Sequence, residues 1–414
     1  MKTLVLALAV STAAYAQGAN SESLANLIAE ALTRNPEILA AQKQYEAAQA
    51  RRPVASSLAD PTIAFSYMNA NNPIPFTEIG RDPLSYAGIS ISQELPFNGK
   101  RKLRGEIAQK EAEEQLKSYE ATRLAIVSRL KQAYYQVNYL SRAREIILRN
   151  KDLLEKFARI AEARYSVNKG SQTDVLKAQT EVTRMLIRLV KLDQEEAAVT
   201  AEINVLLNRK PETPLGPPAD YPKAALNYSL EDLYAEAQRQ SPVLSREQVE
   251  VDKTALALNL ARRDYYPDFG IMGGYSNFGG YPSMFEGRVE VKVPLYFWRK
   301  QRYMVKEQAA NVSGARYQYE STSQTLNFQI KDSYLAAKAS GQLVELYSKG
   351  VSPQAALTLE SSIASYETGT VDFLTLLSNF MAMLDSDLNY YEEFANYHKA
   401  LARLEQLTGL HLTE

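Results

Sequence analysis

The sequence predicts a mostly α-helical chain with a β-barrel part: long coiled-coil-like helices forming an α-helical barrel, and four membrane-crossing β-strands per chain. Twelve strands would close the β-barrel when three chains share it. Three observations lead there. The 414-residue sequence is written twice. Each copy holds one very long helix with a seven-residue apolar repeat. Each also holds a pair of strands in which apolar and polar residues alternate.

The duplication comes first, because a missed repeat changes the whole fold. "SLANLIAEALTRNPEI" (23–38) returns as "SLEDLYAEAQRQSPVL" (229–244) at an offset of 206, which also carries Pro61 onto Pro267. "QELPFNGKRK" (93–102) returns as "VKVPLYFWRK" (291–300) at an offset of 198. "RYSVNKGSQTDVLKAQ" (164–179) returns as "SYETGTVDFLTLL" (365–377) at an offset of 201, with Tyr165 on Tyr366 and Asn168 on Gly369. The repeats run over 23–208 and 229–409. The proline-rich stretch 209–228 between them reads as an extended connector.

Composition limits what the chain does. "MKTLVLALAVSTAAYAQG" has a basic start, an apolar run and Ala14-Tyr15-Ala16, so residues 1–16 read as a secretory signal peptide and 17–414 as the exported protein. With 47 Lys+Arg against 48 Asp+Glu, the charge balance argues against a nucleic-acid partner. The absence of Cys excludes disulfides, thiolate metal sites and a lipid-bearing cysteine. No later run approaches the ~18 apolar residues of a membrane-spanning helix, so any crossing falls to strands.

Each repeat predicts the same elements. A helix (about 24–58 and 230–265) runs to a proline, and two strands follow. A long helix comes next (about 98–167 and 299–367), then a break, then a shorter helix (about 171–208 and 371–409). In the first long helix Tyr119, Ile126, Ala133, Leu140, Ile147, Leu154 and Ala161 recur every seven residues. The companion positions are mixed (Leu116, Leu130 and Val137 against Arg123, Arg144 and Lys151), which suits a wall with one wet side rather than a closed rod. Some 70 helical residues span ~100 Å. The shorter helix and the N-terminal helix together reach that height if stacked end to end. Asn168-Lys169-Gly170 and Gly369, from residue types that take the left-handed conformation cheaply, then form the turns at the far end.

The β-hairpins are expected at about 61–97 and 267–297. In "LSYAGISISQELPF" (84–97), Ala87, Ile89, Ile91 and Leu95 share one face. In "EGRVEVKVPLYF" (286–297), Val289, Val291, Val293 and Leu295 oppose Arg288, Glu290 and Lys292. Ile63, Phe65 and Tyr67, then Phe269, Ile271 and Tyr275, repeat the period upstream. Tyr86, Phe97, Tyr296, Phe297 and Trp298 sit near strand ends, as an aromatic girdle would. Four strands are too few for a barrel, which needs about eight. Lipid tolerates no open sheet edge, so several copies must share one barrel.

Together these features resemble the TolC-type outer-membrane efflux channels, over essentially the whole exported chain. The likeness is carried by the duplicated "SL…NP/SP" openings, "ISQELPFNGKRK" after a strand, and the paired break segments. Within the family the heavy-metal and cation efflux branch is the expected one. The resemblance implies a homotrimer in outer-membrane lipid with a large periplasmic portion. It implies docking, tip to tip, onto a periplasmic adaptor (a membrane fusion protein), and coupling to an inner-membrane pump directly or through that adaptor. On this basis Arg164, Tyr165, Asn168, Gly170, Tyr366 and Gly369 are the expected tip-forming or adaptor-contact residues. The family's acidic pore ring aligns here with Thr375 and Ser378, which are not acidic; Asp372 lies one turn earlier, with Asp174 as its counterpart in the first half, and these four are the candidate constriction.

No catalytic residue, cofactor site or metal site is readable. His398 and His411 are the only histidines, and no phosphate loop or nucleophile motif is present. The competing class is a periplasmic or surface coiled-coil scaffold or adhesin without channel activity. It would share the signal peptide and heptads but would have no use for two duplicated strand pairs.

Overall fold

The computed structural model describes residues 23–413, and the signal segment expected at 1–16 lies outside them. The first repeat opens with α1 (Leu24–Arg34) and α2 (Pro36–Ser56), where the sequence predicted one helix. Asn35 ends one and starts the other: its Oδ1 accepts from the Glu37 and Ile38 amides at 2.9 and 3.2 Å. Proline denies its predecessor the helical conformation, so the NP pair forces a joint. The second repeat has the same proline joint at Ser241-Pro242, between α5 (Leu230–Gln240) and α6 (Pro242–Arg263), but the Ser241 hydroxyl makes no capping bond.

The long helix α3 (Lys100–Ser166) has 67 residues and buries six of the seven heptad positions, Ile126 through Ala161. Its counterpart is not continuous. α7 (Gln301–Leu346) passes through one π turn, Tyr347–Val351, into α8 (Ser352–Thr368). Pro353 has no amide to donate and its ring crowds the preceding turn, so the helix widens there and the Ser352 amide reaches back to the Tyr347 carbonyl. The shorter helices are α4 (Gln172–Leu206) and α9 (Phe373–Thr408).

Near the sheet the helices stand side by side in the order α2-α3-α6-α7, and toward the far end in the order α4-α3-α9-α8. α2 and α4 thus cover different heights of α3, with α1 at their joint, where Leu27 and Ala31 pack on Ile203 and Leu206. Asn35 Nδ2 donates to the Leu206 carbonyl at 2.8 Å across that joint. Leu233 and Ala237 of α5 pack likewise on Leu401 and Leu404 of α9. Stacked short helices therefore match the height of each long one.

The strands are β1 (Thr62–Met68), β2 (Tyr86–Leu95), β3 (Asp268–Asn277) and β4 (Met284–Lys292). They form one antiparallel sheet in sequence order. β4 is shorter than predicted at its C-terminal end: Val293 and Leu295 leave the ladder, because Pro294 has no amide to pair.

The connector straps across the middle of the wall. The Ala219 amide donates to the Tyr134 hydroxyl at 2.8 Å, Arg142 holds the Asp220 carboxylate at 2.6 and 2.8 Å, and the Tyr397 hydroxyl donates to the Ala224 carbonyl at 2.7 Å. Beneath it lies His398, 2% exposed and ringed by Tyr135, Tyr221, Phe394 and Tyr397. Neither ring nitrogen has a hydrogen-bond partner. Burial, aided by the nearby Lys223 cation, pulls its pKa down to about 4. Between that value and the ordinary 6.5 the unfolded chain binds a proton that the folded chain refuses, so stability falls on acidification across this window. The loss amounts to roughly 3 kcal/mol. His398→Phe should flatten the Tm profile between pH 7 and pH 4.5, and an unchanged slope would show that other groups carry it.

Candidate functional site: channel wall and helical tip

Pairing puts Ile63 opposite Ile91, Phe65 opposite Ile89, Ile271 opposite Val289 and Phe269 opposite Val291. These residues form one continuous apolar face, open to the surroundings: Phe65 is 82% and Val289 73% exposed. A soluble sheet would bury such a face, whereas a lipid-facing one leaves it bare. The other face carries Ser66, Ser90, Ser92, Gly270 and Gly274, with Glu94, Glu286, Arg288 and Glu290 among them. Arg288 pairs with Glu286 at 2.7 Å and with Glu290 at 3.7 Å. A Cβ on Gly88 would stand 2.8 Å from Ser276 Oγ and 2.9 Å from the Tyr275 carbonyl, so this face is crowded and only glycine fits. One surface therefore suits hydrocarbon and the other suits water. Pro61, Pro96, Pro267 and Pro294 lie just beyond the four strand ends that join the helices.

At the opposite end of the wall both breaks use one device. The Lys169 amide returns to the Arg164 carbonyl at 2.8 Å, and the Thr370 amide to the Ser365 carbonyl at 3.0 Å. Between them Asn168 (φ +56°) and Gly369 (φ +81°) take the left-handed conformation. This six-to-one closure ends a helix with its last carbonyls satisfied. Gly170, expected to share that left-handed role, does not. It is required for space, since its Cβ would stand 3.1 Å from Arg164 Cβ and 3.2 Å from the Tyr165 amide nitrogen.

The two turns are tied by one side chain. Arg164 Nη1 donates to the Tyr366 carbonyl at 2.5 Å, and its guanidinium carbon lies 4.5 Å from the Tyr366 ring centre. A Cβ on Gly369 would stand 3.3 Å from Arg164 Nη2. The repeat alignment hid this link, because Arg164 falls on Ser365 and has no counterpart. It also makes the paired tyrosines unequal: Tyr366 is 6% exposed under the guanidinium, while Tyr165 is 45% exposed. Burial raises the Tyr366 phenol pKa, against the lowering effect of Arg164. An open cleft of about 840 Å³ lies between the turns, lined by Arg164, Gly170, Asp174, Gly369, Asp372 and Thr375 among others.

The candidate constriction residues occupy these helix starts. Asp372 caps α9, accepting from the Thr375 amide at 2.8 Å, and its contacts with Thr375 keep its pKa low. Asp174 is the third residue of α4 in a capping box with Ser171. The two aspartates are therefore not counterparts, as the sequence reading paired them: Asp372 matches Ser171, and Asp174 matches Thr375. Thr375 and Ser378 are exposed on α9. Among the described residues no cluster of His, Cys, Asp and Glu could hold a metal ion, and no helix is long and apolar enough to cross a membrane.

The family model described as "Outer membrane efflux protein" matches residues 27–209 and 233–410. The chain belongs to the outer membrane efflux protein family. As a family member it is similar to outer membrane protein TolC of Vibrio cholerae, 21% identical over 94% of this chain and 91% of that one. Among solved structures it is similar to VceC, also of Vibrio cholerae, with a TM-score of 0.79 at 17% identity, covering 93% of this chain and 96% of that one. The open state of MtrE of Neisseria gonorrhoeae gives 0.76 at 14% identity, covering 93% and 88%. Scores this even single out no branch of the family. This outer membrane efflux protein is a channel, not an enzyme, and a large helical part of it extends into the periplasm.

Proposed function

We propose that this chain is one third of a trimeric exit duct, which carries substrate from a periplasmic adaptor and inner-membrane pump to the exterior. The observation that carries the reading is an open edge at every level. β1 and β4 each pair on one side only. Below them α2 and α4 form one edge of the helical wall, and α7 and α8 the other. Both edges expose apolar residues: Leu176, Ile187 and Val190 on α4, against Phe328 and Leu335 on α7 and Leu357 on α8. Two different apolar edges suit a head-to-tail contact, which gives a ring when the rotation between copies closes. The tip would meet the adaptor through Tyr165 and Asn168 beside Gly170, while Arg164, Tyr366 and Gly369 hold the two turns together behind that surface. Asp174, Asp372, Thr375 and Ser378 would ring the narrow end, three copies of each carboxylate favouring cations.

The internal register supplies a test. Ser92 pairs with Met272 within the chain. Carrying Ser92 forward by 198 and Met272 back by 206 places Glu290 opposite Ser66 of the next copy. The chain has no Cys, so Ser66→Cys with Glu290→Cys adds the only thiols. Oxidation should yield a covalent ring of three chains on a non-reducing gel, with efflux-dependent resistance retained because these edges need not part. Intrachain products alone, or a ladder without a closed trimer, would contradict the arrangement.

A further inference from the structure

We infer that the turn between β4 and α7 is a binding site for the phosphate head group of an anionic glycerophospholipid in the periplasm-facing leaflet. The inference rests on the outer-membrane placement of the sheet. In "KVPLYFWRKQR" (292–302) an apolar block is followed at once by a basic one. Leu295, Tyr296, Phe297 and Trp298 are each at least half exposed, directly beyond the end of the apolar sheet face. Aromatic rings collect at this depth because they suit both the hydrocarbon edge and the head-group layer. Beside them Lys292, Arg299, Lys300 and Arg302 make no ion pair among the described residues.

The first repeat handles the same junction differently. There Lys100 is buried and satisfied, 2.9 Å from Asp268, 3.4 Å from Asp264 and 3.1 Å from the Tyr266 carbonyl. Asp268 also accepts from the Phe97 amide at 2.8 Å, so it is occupied although Lys292 is its strand neighbour. Lys100 thus takes the local carboxylates and leaves the second repeat's cations without them. Lys292, Lys300 and Gln301 line a cavity of about 390 Å³, which Lys100 closes together with the Asp264 and Asp268 carboxylates that it holds. Gln301 is 7% exposed, and its Oε1 is buried with no hydrogen-bond partner. A phosphodiester would meet the lysines, a head-group hydroxyl would donate to Gln301 Oε1, and the acyl chains would continue along the apolar face.

Trp298 is the only tryptophan in the sequence, so its fluorescence reports on this turn alone. The full-length channel, in detergent micelles doped with acyl-brominated phosphatidylglycerol or phosphatidylcholine, should be half-quenched at a lower mole fraction of phosphatidylglycerol. Arg299→Gln, Lys300→Gln and Arg302→Gln combined should remove that preference, with about a fivefold loss for each charge. If the triple variant loses its oligomeric state, Lys300→Gln alone should still show roughly the fivefold step. Equal quenching of the unsubstituted protein by both lipids overturns the head-group site. So does abolition of the preference by added inorganic phosphate, which would make this a soluble-anion site. Quenching by neither lipid overturns it at an earlier step, by showing that this end of the sheet does not reach lipid.

Discussion

Val289→Arg keeps this protein out of the outer membrane. Val289 lies in β4 opposite Ile271, on the apolar face and largely exposed. Arginine on the lipid face near the bilayer midplane costs about 2–4 kcal/mol. In a trimer the cost is incurred three times, which approaches the whole stability of a typical domain. The same residue one position on, Glu290→Arg, points to the wet face and should be nearly neutral, as surface substitutions usually are. Density-gradient fractionation of the two variants makes the comparison. Val289→Arg recovered in the outer membrane at the unsubstituted level would show that the apolar face does not meet lipid.

Arg164→Ala should loosen the helical tip and raise the conductance of the purified channel in planar bilayers severalfold or more. The side chain makes the contact that holds the two turns together, a charge-assisted hydrogen bond to the Tyr366 carbonyl and a guanidinium over the Tyr366 ring. Such a bond contributes about 1.5–3 kcal/mol, and the ring contact about 0.5–2 kcal/mol. Three copies act together in the proposed ring. Arg164→Lys keeps the charge but lacks the planar fork, so its conductance should fall between the two. Conductance unchanged in Arg164→Ala would mean that this contact does not limit the opening of the proposed channel.

Much of the architecture was legible in the sequence because it repeats local rules. Heptad positions from Ile126 to Ala161 are buried as their period requires. Alternation in 84–97 and 286–292 placed the right residues on each sheet face, since a strand turns its side chains over at every step. The helix joints are written in the same letters: Asn35-Pro36 and Ser241-Pro242 each end one helix and start the next, where the apolar pattern predicts a single helix. Pro353 likewise announced the π turn, and Pro294 the end of β4. In each case a missing amide outweighed an apolar pattern that continued past it.

The candidate tip was legible only in part. Asn168 and Gly369 are legible because left-handed caps favour those residue types. Gly170 serves a different need from the one its residue type suggests: room beside Arg164, not a positive φ. The Arg164 link and the inequality of Tyr165 and Tyr366 gave no signal in the repeat. They depend on which turn stands beside which, and an alignment of two halves records likeness rather than contact.

What the sequence determined by itself was the periodic part: two copies, long helices, strands with one apolar face, and the positions of the breaks. These follow from the conformations each residue allows and from spacing along one strand or helix. Only the tertiary structure decided what crosses between copies: Arg164 on Tyr366, Lys100 on Asp264 and Asp268, and the connector over His398. Those contacts join residues far apart in the chain, and their energies come from geometry that forms only once the two halves stand side by side.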